Sequence, residues 1–255
     1  MNHLGNREDG LSRAPGPWLD RPFWKLFGME LQVLWKNGLP QVYGVVAAMM
    51  VGILSLMPAS AQAYVLPVFL FMDPATLGMF FIPSQLLLLK DSRVLATYLF
   101  LPRDVRVIFR AKILVYTLLS VGSSLVIGVL GGWPVQTLVV LPWLLGVNWL
   151  LTILGVAIGL RIRSLNQLFL ILPLVLIALI SGLLYLLPGA GSEWWLLHPF
   201  RGFSYPFMAP WLGAQALDLG ISFGWTTAVG GLILGFYSRT WKHLLSQAGR
   251  GALHE

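Results

Sequence analysis

The chain has 255 residues, 57% of them hydrophobic and only 11% charged; a soluble domain carries about 25% charged residues, so a fully hydrated surface is excluded. The net charge is +7, but the basic residues stand beside apolar runs and form no continuous patch, which sets nucleic acid aside as a partner. With no Cys there is no disulfide framework, thiolate metal site or cysteine nucleophile.

Residues 1–19 form a polar tail, predicted to be cytoplasmic. It carries Glu8 and Asp9 and lacks a basic start followed by an apolar core, so no cleavable signal peptide is expected. Segment 20–37, DRPFWKLFGMELQVLWKN, opens on Asp20 and Pro22, residues suited to a helix start. At about 100° per residue, Phe23, Phe27, Leu31 and Leu34 share a face with Trp24 and Trp35 at its margin. Lys25, Gly28, Gln32 and Lys36 line the opposite face. This pattern predicts an amphipathic helix lying in the headgroup layer. Glu30 projects from the middle of the apolar face, where it is expected to snorkel or be neutralised by a neighbouring Arg, with a substrate role as the alternative.

The transmembrane domain is expected over 38–237. A span needs about 20 mostly apolar residues, and six runs meet this: 39–58, 64–89, 112–131, 137–160, 167–187 and 219–237. With both ends on one side, all but Arg201 of the 17 Lys and Arg fall on that same side. Lys and Arg flanking spans stay cytoplasmic, so a bacterial inner-membrane protein with both termini inside is expected.

Asp73 is the one clear carboxylate inside a predicted span. It precedes Pro74 in FMDPATLG, a combination that, with Pro67 upstream, suits a break or kink of the span with Asp73 as cap. A direct place on a substrate path is the alternative, and Gln85 and Asn148 are further path candidates, although amides in spans also hold helices together. Gly155/Gly159 and Gly231/Gly235 have the small-xxx-small spacing that lets helices approach closely.

Two connections are long. In 90–111, the run Leu101-Pro102-Arg103-Asp104 interrupts the apolar stretch, and a helix can restart behind Asp104. From there Arg103, Arg106 and Arg110 fall on one stripe and Val105, Ile108 and Phe109 on another. Such a short basic helix either rests on lipid headgroups or docks a cytoplasmic partner. Segment 188–218 is predicted to be external and carries Trp194, Trp195, Trp211, Pro199, Pro206 and Pro210, which suits one or two short helices anchored in the outer leaflet. His198 there has no second ligand at metal spacing. Residues 238–255 form a cytoplasmic tail.

The chain has no phosphate-binding G-x-x-x-x-G-K-[ST] loop, no H-E-x-x-H and no G-x-S-x-G. Its four His all fall outside the predicted spans. Neither a catalytic site nor a cofactor or metal of its own is expected. The polypeptide reads as a pore, a scaffold or the membrane half of a pump driven from elsewhere.

Three stretches, FMDPATLGMFFIPSQLLLL (71–89), LATYLFLPRDVRVIFRAKIL (95–114) and LGVAIGLRIRSLNQLFLILPLVL (154–176), resemble the permease subunits of type-2 ABC exporters, in particular the fluoroquinolone-export group. The similar positions are Asp73, Pro74 and Gly78; Leu101, Pro102, Asp104 and Lys112; and Arg161, Arg163, Ser164 and Asn166. The chain departs from that pattern at Lys90-Asp91-Ser92-Arg93, where relatives often have a Glu-rich stretch containing Gly.

The resemblance implies an all-α polytopic fold with an amphipathic elbow helix, six spans, a coupling helix between spans two and three, and re-entrant external helices before span six. It further implies a dimer of permeases paired with separate ABC ATPase subunits that bind ATP and Mg. Leu101, Pro102, Arg103 and Asp104, supported by Arg106 and Arg110, are then the expected coupling contact. The cargo would be a hydrophobic drug, lipid or secondary metabolite. Two other classes remain: a membrane scaffold or immunity protein without transport, and a lipid enzyme built on Asp73, Asn148 and His198.

Overall fold

A computed structural model describes residues 21–92, 105–132, 140–183, 197–212 and 216–251. The regular elements there are helices: α1 (Arg21–Lys36), α2 (Leu39–Ser55), α3 (Ala59–Thr76), a π-helical segment (Leu77–Phe81), α4 (Ile82–Asp91), α5 (Val105–Leu130), α6 (Leu141–Arg161), α7 (Leu165–Ser181), α8 (Arg201–Leu212) and α9 (Ala216–Gly251).

Three helices are individually long and apolar enough to cross a membrane: Arg106–Leu130 of α5, Leu141–Arg161 of α6 and Leu217–Leu244 of α9. A fourth is obtained if α1 and α2, bent by 63°, count as one broken span. The protein is therefore a helical membrane protein with three to four candidate spans among the described residues. Of the remaining predicted runs, 167–187 corresponds to α7, which has 17 residues. At 1.5 Å per residue that is about 25 Å, short of a hydrocarbon layer of about 30 Å.

The run 64–89 is helical throughout, but not as one regular α-helix. The chain does not break at Asp73, which sits within α3 rather than at a helix start. The irregularity falls a turn later, as the π segment. A proline in a helix removes an N–H and crowds the carbonyl four residues back, and a widened π turn beside Pro74 is one way a helix absorbs that strain without ending.

The bend between α1 and α2 has a local cause. Gly38 takes a left-handed φ of 72°, and proline stands in the first turn of α2. As a result α1 folds back onto α5. Phe23 and Leu34 are buried, while Trp24, Leu31 and Trp35 of the same predicted apolar surface stay exposed. The face is thus split between protein and surroundings. The restart expected behind Asp104 is also present, but it is no separate short helix: α5 runs unbroken from Val105 to Leu130.

The core gathers around α6, which packs against α3, the π segment, α4, α5, α8 and α9. Glycine makes the closest approach possible. A Cβ on Gly155 would lie 1.9 Å from the Gly78 carbonyl oxygen, and one on Gly159 would lie 2.7 Å from the Pro83 Cα. Backbone meets backbone there, with Met79, Ile82, Leu86, Leu151 and Val156 sealed around the contact. On the far face of α6, Leu150 fills the notch left by Gly230 of α9.

Candidate functional site

The predicted functional residues that the structure describes lie on or beside α5 and α6, except His198, which stands before α8 and meets Ser181 rather than Asn148. Leu101, Pro102, Arg103 and Asp104 lie outside the described residues, as does the side chain of Asp73. Gln85, Asn148, Arg106 and Arg110 can be placed.

A polar seam runs along the buried face of α5. Lys112, Tyr116, Ser120 and Ser124 recur every fourth residue, all buried. At its basic end Lys112 Nζ pairs with Glu30 Oε2 of α1 at 2.8 Å and donates to Gln85 Oε1 of α4 at 3.3 Å. The carboxylate that interrupts the apolar face of α1 is thus neutralised, by a lysine rather than the expected arginine. The Lys112 ammonium lies 5.9 Å from the centroid of the Tyr116 ring. One residue therefore joins α1, α4 and α5. Farther along, Ser120 donates a short hydrogen bond to Asn148 Oδ1, while Asn148 Nδ2 donates to the Leu144 carbonyl at 2.7 Å. Gln85 and Asn148 share this seam but engage different partners. In both cases the amide links α5 to a neighbouring helix.

A second polar cluster closes α6. Lys90, at the end of α4, donates to the carbonyls of Gly159 (2.9 Å), Leu160 (2.7 Å) and Ile162 (2.7 Å). These acceptors lie at the helix end where carbonyls lack intrahelical partners and the macrodipole is negative. Burial pushes the Lys90 ammonium down to about 8, helped by the Arg163 guanidinium and opposed by Asp91. Arg161 turns toward α9, donating to Thr240 Oγ1 at 3.0 Å and stacking over Phe236 at 4.3 Å. Lys90, Arg161, Arg163 and His243 line a polar cleft of about 450 Å³.

At the opposite end, Arg201 of α8 pairs with Asp218 of α9 at 3.1 Å and lies 4.4 Å from the Tyr205 ring. Tyr205 donates to the other Asp218 oxygen at 3.1 Å. His198 meets Ser181 Oγ at 3.2 Å, and burial lowers the imidazole pKa. These contacts hold the start of α8 and the residues just before it against α9 and the end of α7, while the helix itself packs on α9 and α3.

Arg106 and Arg110 do share a face, as their spacing predicted, with Ile108 and Phe109 buried on the other. Both line a cleft of about 570 Å³ between α5, α6 and α9, together with Lys242. Residue spacing alone does not reveal this cleft, because Trp149, Tyr237 and Trp241 enter it from helices remote in sequence. Nor did any local signal single out Lys90, whose three acceptors lie about seventy residues away. The seam on α5 is different: its four-residue spacing is visible in the sequence.

Comparison with protein-family models, with curated proteins and with solved structures finds no match for this chain.

Proposed function

We propose that the chain is the permease half of an ATP-driven exporter in a bacterial inner membrane. Two copies would enclose the path, with six spans each and both termini cytoplasmic. ATP and Mg are handled by a separate ABC ATPase subunit. The cargo is a hydrophobic drug, lipid or secondary metabolite.

The observation that carries this reading is the unbroken course of α5 from its first residue, together with the contacts that fasten it to α1 and α4. The helix starts one residue after Asp104 and runs without a break into the membrane, and Lys112 fastens it to both α1 and α4. A push on 101–110 would therefore move a rigid rod together with the elbow helix. Coupling of this kind needs the partner to make different contacts in its two nucleotide states.

The decisive experiment is tagged purification in mild detergent. An ATPase with a phosphate-binding loop, recovered at roughly one-to-one ratio, supports the pump. Its reproducible absence from intact dimeric protein favours a membrane scaffold instead. In the reconstituted complex, Asp104→Arg is expected to abolish substrate-stimulated ATP hydrolysis at normal expression. Coupled turnover surviving that change would place the contact elsewhere.

A further inference from the structure

Helix α1 faces two environments at once. Phe23 and Leu34 are buried, whereas Trp24, Met29, Leu31, Val33 and Trp35 stand exposed. Its packing is chiefly on α5. In a bilayer, apolar side chains gain about as much from acyl chains as from protein. The burial of Phe23 and Leu34 therefore does little to decide whether α1 stays on α5. The Glu30–Lys112 pair decides more. Its atoms are 2.8 Å apart, and the two side chains are 16% and 6% exposed. Parting them strands a carboxylate and an ammonium in surroundings of low dielectric.

Two further features bear on what such a helix does. The first is its junction with α2. The two helices meet at 63°, and Gly38 between them has a φ of 72°, a conformation that glycine enters and leaves without steric cost. The second is what α1 covers. Phe23, in its first turn, lines the cleft of about 570 Å³ between α5, α6 and α9, together with Ile113, Trp149, Tyr237 and Trp241. Phe23 and Glu30 are seven residues apart, about two helical turns, and so share a face. The side chain in the cleft and the charged tie to α5 thus act from the same side of one short helix.

We propose that α1 is a hinged strap over this cleft, with Phe23 as the lid, the Glu30–Lys112 pair as the latch and Gly38 as the pivot. The structure holds the strap closed. In the open state α1 lies in the headgroup layer, which suits its amphipathic pattern, and the cleft is uncovered on that side. The two states differ in contacts, as a two-state element requires: Phe23 and the ion pair belong to the closed state alone. The proposal goes beyond the transport reading and does not rest on it, since opening needs no ATPase.

The chain has no Cys, so introduced thiols are labelled without background. Lys25→Cys on α1 and Arg239→Cys on α9, both at exposed positions, carry nitroxides in the full chain in phospholipid nanodiscs. Dilution with unlabelled chain restricts the reading to distances within one copy, and pulsed electron spin resonance measures them. One narrow, short distance is expected when the latch is intact. Glu30→Leu with Lys112→Met removes the latch without stranding a charge, and raises a longer-distance population roughly five-fold. The reversed pair, Glu30→Lys with Lys112→Glu, restores the short distance. Ile113→Cys, in the cleft wall at a position 5% exposed, reports the lid. Its reaction with a maleimide is expected to quicken roughly five-fold in the latch-free variant. Phe23→Ala quickens it as well while keeping the short distance. A folded latch-free variant that keeps the short distance overturns the proposal, because packing alone then fixes α1. A thiol at 113 indifferent to both the latch-free variant and Phe23→Ala also overturns it, because α1 then covers nothing. If the latch-free variant does not fold, Glu30→Gln decides: it leaves Lys112 a polar partner, and the absence of any longer distance counts against the latch.

Discussion

Helices α6 and α9 are both apolar and both long enough to span a bilayer, yet they occupy opposite environments. In the most apolar stretch of α6, 72% of residues are buried within the protein; in that of α9, 17% are. Both contain a Gly-xxx-Gly pair. A Cβ on Gly155 or Gly159 would collide with a neighbouring backbone, whereas one on Gly231 or Gly235 would meet nothing within 4 Å. The difference teaches that small-residue spacing permits close packing without compelling it. What compels it is a partner shaped to match, here the π segment and α4.

The contrast sets an order of expected effects. Gly155→Ala puts a methyl group into the Gly78 carbonyl and forces α6 away from the π segment, at a cost of more than about 4 kcal/mol. Thermal unfolding in detergent is expected to show a large loss of stability or no folded protein. A well-folded variant of near wild-type stability would show that the contact is not as tight as described. Next in size is Lys112→Met, which leaves the Glu30 carboxylate without its partner at a largely buried site, at about 3 kcal/mol. Combining it with Glu30→Leu is expected to recover most of that loss, and additive losses in the double mutant would show that the pair is not coupled.

Lys90→Met removes the cap of α6, at about 2 kcal/mol near neutral pH. It also carries a pH signature. The Lys90 pKa is lowered from 10.5 to about 8 in the folded protein, so between those values the unfolded chain binds more protons and stability rises with pH. Below about 8 both states are protonated and the contribution is flat. Unfolding of wild type against Lys90→Met from pH 7 to 10.5 is expected to show this slope in wild type alone. The smallest effect is expected on α9. Gly231→Ala meets no neighbour and replaces glycine in a helix interior, so it stabilises by about 0.5–1 kcal/mol. A loss of stability there would mean that a second copy packs against that face.

The candidate site was only partly legible from residues. Arg106 and Arg110 share a stripe because helical periodicity dictates it, and that stripe is present. Glu30 was identifiable as a costly carboxylate in the middle of an apolar face, one that snorkels or takes a cationic partner. Lys112 could not be named as that partner, since the pair is 82 residues apart. The seam amides Gln85 and Asn148 were visible as polar groups inside apolar runs. Their partners emerge only where α4, α5 and α6 meet. The irregularity near Pro74 was expected as a break or kink, and the helix continues past the proline with a π segment a turn later.

Hydrophobicity and charge accumulate residue by residue, so the all-helical, membrane-embedded character of the chain follows from composition and run length. So do the amphipathic character of α1 and the restart of helix behind Asp104, which depend on neighbours within a turn or two. The choice of α6 as the buried centre and α9 as a peripheral helix is of another kind. Their apolar runs are alike, and water is not available inside a bilayer to sort one from the other. Shape complementarity sorts them: Gly155 against Gly78, Lys90 on the end of α6, and Lys112 between Glu30 and Gln85. Those contacts join residues far apart along the chain, and only the tertiary structure brings them together.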